Sequence, residues 1–99
     1  MDRPFADPPA TLADLEGPTT GEIELPAAID WGPPRTYDMA SSVDRQIVYE
    51  RVLREAPTTA AICQYVNGSA LLASWHSLWL PTRIRDAWED RLPELSHAT

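Results

Sequence analysis

A chain of 99 residues with 15 acidic and 8 basic side chains, a net charge of −7, ten prolines and one cysteine allows one domain. Its charge disfavours a phosphate backbone as ligand, and the single Cys63 excludes an internal disulfide or a cysteine metal cluster. No apolar run approaches the roughly 20 residues of a membrane span, and the acidic N-terminus is unlike a secretory signal, so a cytoplasmic protein is expected.

Composition changes sharply along the chain. Residues 1–40 hold seven of the ten prolines and carry a net charge of −6 (eight acids against Arg3 and Arg35), which leaves −1 for the rest. The expected fold is therefore all-α: a small bundle of about four short helices, residues 41–95, preceded by a long, Pro-rich, acidic, largely extended N-terminal arm. Residues 1–21 are expected to be a disordered tail, because Pro4, Pro8, Pro9, Gly17, Pro18 and Gly21 interrupt them. The short Thr11 to Glu16 turn, with Leu12 and Leu15 on one side, is too short to persist alone. Residues 22–40 differ: Ile23, Leu25, Ile29, Trp31 and Tyr37 stand at intervals in a proline-fixed backbone. Such a segment either covers the chain's own helices or wraps a partner, for instance by strand addition.

The first helix is expected to begin near Ser41 or Ser42, with Ser41 and Asp44 in the positions of a capping box. Val48, Tyr49, Val52, Leu53 and Ala56 form its apolar stripe, and Pro57 ends it. Ile47 falls outside that stripe and is expected to touch the proline-rich segment or another chain. A second helix follows, capped by Thr58 or Thr59, with Ile62, Tyr65 and Val66 apolar and Asn67-Gly68 as a glycine C-cap. The third opens at Ser69 and carries Leu71, Leu72, Trp75, Leu78 and Trp79 on one face. The fourth starts at Pro81 or Thr82, buries Ile84, Ala87, Trp88 and Leu92, and stops at Pro93. Glu94 onward is expected to fray, with 96–99 as a terminal tail.

Catalytic, cofactor and metal residues are not expected. His76 lies at the edge of an apolar stripe and His97 in the tail, so no triad or metal set can be composed from them. Asp86, Glu89 and Asp90 share a face with Arg83 and read as a solvated, salt-paired surface, and Cys63 reads as a structural thiol. The second and third helices resemble a helix-turn-helix, yet the supposed recognition helix has no basic residue, so direct nucleic-acid binding is not expected. Trp75, Trp79 and Trp88 read first as core. Indoles are also the side chains enriched at binding hot spots, so Trp75 and Trp79 are candidate interface anchors.

The pattern Leu25-Pro26, Trp31, Tyr37-Asp38, Asp44-Arg45, Val48-Tyr49-Glu50, Val52-Leu53-Arg54-Glu55, Leu71, Trp75, Leu78-Trp79-Leu80-Pro81, Arg83-Ile84-Arg85 and Ala87-Trp88 resembles a family of short actinobacterial antitoxin-like proteins. Their genes stand beside abortive-infection-type nucleotidyltransferase toxins. The resemblance covers roughly residues 22–95 and its motifs are structural rather than catalytic. It implies a non-enzymatic protein that neutralises a cognate nucleotidyltransferase toxin by direct binding, with the acidic arm across the toxin's basic cleft. The longer antitoxins of that class carry a winged-helix DNA-binding domain for which this chain has no room. The partner-binding residues expected on this view are Ile23, Leu25, Ile29, Trp31, Tyr37, Ile47, Trp75 and Trp79. The alternative is a stand-alone, self-associating helical adaptor or small regulator whose partner is a second copy.

Overall fold

The computed structural model describes residues 5–97. The outermost parts of the two expected tails, 1–4 and 98–99, lie outside the described residues. Helix α1 spans Ser42–Glu55, α2 Thr59–Tyr65, α3 Gly68–Ser74 and α4 Thr82–Arg91. None is long and apolar enough to cross a membrane.

Local chemistry explains the helix limits. The Ser41 hydroxyl accepts from the Asp44 amide, giving half of the expected capping box. The other half is absent, because the Asp44 carboxylate accepts instead from the Asp38 amide at 2.9 Å and ties the preceding strand to the helix. Pro57 places Ala56 in extended backbone (φ −61°, ψ 133°), which ends α1. Thr58 caps α2 through the Ala61 amide.

Two expectations about the middle of the chain are corrected. Asn67-Gly68 is not the C-cap of α2: Val66 is already extended, Asn67 accepts from the Ala70 amide as the cap of α3, and Gly68 is the first residue of that helix. Glycine is required there by space, since a Cβ would stand 2.2 Å from the Leu12 carbonyl oxygen. Nor does α3 run on through Trp79. It ends at Ser74, whose hydroxyl donates back to the Ala70 carbonyl at 2.8 Å, a bond that bends helices. A 3-10 turn, Trp75–Ser77, then leads into extended Leu78.

The all-α expectation holds for the helices but omits a two-stranded antiparallel sheet, β1 (Glu22–Glu24) with β2 (Thr36–Asp38), in which Ile23 faces Tyr37. The disordered tail is also corrected over its described part. The Glu16 and Gly17 amides donate to the carbonyls of Cys63 and Val66 at 3.1 and 2.9 Å, and the Gly68 amide donates to Leu15. The cause lies in the α2–α3 junction, where the break between the helices leaves the Cys63 and Val66 carbonyls and the Gly68 amide without a helical partner and Leu15–Gly17 satisfies them as a strand would. Packing there is tight, for a Cβ on Gly17 would lie 2.3 Å from the Tyr65 carbonyl carbon. Farther upstream the Thr59 hydroxyl donates to the Asp7 carbonyl and Arg83 sits over the Phe5 ring.

One core results, drawing Leu15, Ile29, Tyr37 and Met39 from the N-terminal part and Tyr49, Leu53, Ile62, Trp75 and Trp88 from the helices. The indoles of Trp75 and Trp88 meet at 6.3 Å between centroids. The C-terminus joins them: a 3-10 turn at Pro93–Leu95 drives Leu95 fully inside, so fraying does not begin at Glu94.

A candidate docking surface on helix α1

With Val48, Tyr49, Val52 and Leu53 turned to the core, the 100° step of an α-helix turns Val43, Ile47, Glu50, Arg51 and Arg54 outward. Two of these five are apolar, four residues apart and therefore adjacent on the surface. Val43 is 66% exposed and Ile47 is half-buried. A depression of about 270 Å³ adjoins Val43, lined also by Arg45, Gln46, Ala73, Ser74 and Ser77.

Trp79 stands on one flank. After the 3-10 turn the chain is extended, so successive side chains alternate: Leu78 enters the core and Trp79 points out, 75% exposed. Its position is fixed, because the Trp79 amide donates to the Glu50 carboxylate at 2.7 Å. Gln46 donates both to that carboxylate and to the Ser77 carbonyl. Arg85, from α4, holds the turn from behind by donating to the Trp75 carbonyl and stacking over the Trp75 ring at 4.8 Å.

Trp31, 74% exposed, is linked to the other side of α1 through its neighbour Asp30, which lies beside Arg51. It follows Asp30, which is anchored three ways. The Asp30 amide donates to the Pro26 carbonyl, its carboxylate accepts from the Tyr37 hydroxyl at 2.7 Å, and Arg51 of α1 lies 3.7 Å away. The Tyr37 bond, helped by Arg51 and Arg35, holds the Asp30 carboxyl below its ordinary range against the opposing effect of burial. Burial and the neighbouring carboxylate push the Tyr37 phenol up.

The eight expected contact residues divide. Trp31, Ile47 and Trp79 lie on or beside the outward face of α1; Ile23 and Leu25 are half-buried against the core. Ile29, Tyr37 and Trp75 are interior and, in this fold, can touch no rigid partner. Burying them helps a domain this small to build a core, and the two rings among them find a polar match for their tips, Tyr37 with Asp30 and the Trp75 indole N–H with Glu89 at 2.8 Å. Val43 was missed. Its signal was the spacing to Ile47, off the main stripe.

Among the described residues no three or more His, Cys, Asp and Glu side chains are grouped so as to hold a metal ion. His76 is exposed, and burial, with Asp14 and Glu16 nearby, pushes the Cys63 thiol up. No family model matches the chain, and no curated protein or solved structure matches it.

Proposed function

We propose that this protein is a partner-binding inhibitor that neutralises a nucleotidyltransferase toxin through the rigid surface formed by Trp31, Val43, Ile47 and Trp79. The observation that carries the reading is the contrast among the four tryptophans: Trp75 and Trp88 are fully enclosed, whereas Trp31 and Trp79 are 74% and 75% exposed on anchored backbone. Exposed indoles on a pre-organised scaffold are the side chains that anchor interfaces, because little ordering entropy remains to be lost on binding. The toxin as partner comes from the sequence resemblance. Inhibition by an acidic ribbon laid across the toxin is replaced by docking of a fixed face, since Ile29 and Tyr37 are committed to the core.

Co-expression with the product of the neighbouring gene, followed by size-exclusion chromatography, tests this. The wild-type chain co-elutes and relieves toxicity, whereas the double variant Trp31→Ala/Trp79→Ala, with unchanged circular dichroism, does neither. A wild-type chain that fails to co-elute removes the proposal. The same exposed face also favours a second reading, self-association, which sedimentation as a monomer at high concentration eliminates.

A further inference from the structure

The short sheet has one closed edge and one open edge. Residues facing each other across an antiparallel pair alternate between those that exchange backbone hydrogen bonds and those whose N–H and C=O point away. The Met39 amide donates to the Gly21 carbonyl at 2.8 Å, which fixes the phase: the Ile23–Tyr37 pair bonds inward, while Glu22 and Glu24 on β1, and Thr36 and Asp38 on β2, point their backbone groups outward. On β2 the outward groups of Asp38 are occupied, its amide by the Asp44 carboxylate and its carbonyl by the Ser41 amide. On β1 no described residue bonds the outward groups of Glu22 or Glu24.

The side chains of β1 say what fits that edge. Ile23 packs toward the core, and Glu22 and Glu24 project from the opposite, solvent-facing side, level with Asp38 across the pair. Three carboxylates thus line one face of the ribbon. A second copy pairing edge to edge would set glutamates against glutamates, which is destabilising. At the end of the strand a depression of about 280 Å³, lined by Glu24, Leu25, Ala27, Asp30, Gly32, Pro34 and Arg35, can receive a side chain beyond the paired residues.

We infer that β1 is a strand-addition site for an extended basic segment of another protein, in which lysine or arginine alternates with small apolar residues. Main-chain bonds to Glu22 and Glu24 supply the pairing, and the two glutamate side chains select the basic residues on the same face. Charged edge residues also keep sheets from aggregating, and a purely protective role predicts no such binding.

The inference rests on the reading of the chain as a partner-binding protein, but its test is separate. The full-length protein is titrated with a short peptide of alternating lysine and valine, and with the glutamate and valine counterpart, while amide NMR signals are followed. The Lys-Val peptide shifts the Glu22 and Glu24 amides and slows their hydrogen exchange, and binds about tenfold tighter than the Glu-Val peptide. Glu22→Lys/Glu24→Lys reverses that preference. Glu24→Pro, which removes one outward N–H and leaves the β1–β2 bonds untouched, abolishes binding with no change in circular dichroism. Absence of binding, equal binding of both peptides, shifts confined to other residues, or indifference to Glu24→Pro overturns the inference. Toxin co-elution that persists in Glu24→Pro and fails in Trp31→Ala/Trp79→Ala would separate the edge from the α1 surface.

Discussion

The two halves of this chain reach the same core by different means. Residues 41–95 do so by period: in α1 and α4 every third or fourth side chain is apolar and turns inward, and the backbone satisfies itself within each helix. Residues 5–40 do so by isolated anchors, Leu15, Ile29, Tyr37 and Met39, joined by buried Pro8, Pro9 and Gly17, while most of the acidic residues and Pro26, Pro33 and Pro34 are exposed. A segment of the second kind has no amphipathic stripe to announce it. Its backbone must borrow hydrogen bonds from the other half, as Glu16 and Gly17 do from the α2–α3 junction. The lesson is that an acidic, proline-rich composition conceals an integral wall of the fold, because the acidic residues that dominate it are mostly the exposed ones.

The largest expected effect breaks the periodic half. Trp88 is fully enclosed against Trp75, so Trp88→Ala is expected to lower stability by about 3–5 kcal/mol in denaturant unfolding. A loss under about 1 kcal/mol would place the ring at the surface. Next comes the seam between the halves. Gly68→Ala forces a methyl onto the Leu12 carbonyl, which is backbone and can yield only by lifting the 3-10 turn Leu12–Asp14, so about 2–3 kcal/mol is expected to be lost. A neutral or stabilising outcome, as for an ordinary helical glycine, would detach that turn from α3.

Smaller again is the anchor of the Trp31 loop. Asp30→Ala leaves the buried Tyr37 hydroxyl without its acceptor and is expected to cost about 2 kcal/mol near neutral pH. Because the folded-state pKa of Asp30 lies below its unfolded value, its contribution is present above the unfolded value and fades as pH falls through the depressed one. The acid limb of the stability profile is therefore shallower in Asp30→Ala than in the wild type. Identical limbs would mean that the carboxylate is not held by Tyr37. The smallest effect on stability belongs to the exposed flank: Trp79→Ala is expected to change it by less than about 0.5 kcal/mol, while weakening toxin co-elution.

Much of the helical half was legible in the sequence. The caps at Ser41 and Thr58, the stop at Pro57 and the restart after Pro81 follow from backbone chemistry that acts within a few residues. What escaped was long-range. Gly68 reads as a helix terminator by type, and only the approach of Leu12 makes it a helix opener. Trp79 fits the stripe of α3 on a helical wheel, but the bend at Ser74 changes the period before it, so a residue that reads first as core is exposed. Tyr37 and Ile29 were open to two readings, a cover for the chain's own helices or contacts for another protein, because nothing local could say that their contacts were at home. Of the candidate surface, Trp31, Ile47 and Trp79 were identified and Val43 was not, since a single valine before the main stripe acquires meaning only beside Ile47.

The claim on which these comparisons turn is that the proline-rich half is a fixed part of the fold, and native-state amide exchange of the full-length protein tests it most directly. The Glu16, Gly17 and Gly68 amides are predicted to exchange as slowly as those of Val52 and Val66, opening only with the core. Exchange of Glu16 and Gly17 at the rate of an unprotected chain, with α1 still protected, would contradict the account and return the first part of the molecule to a free arm.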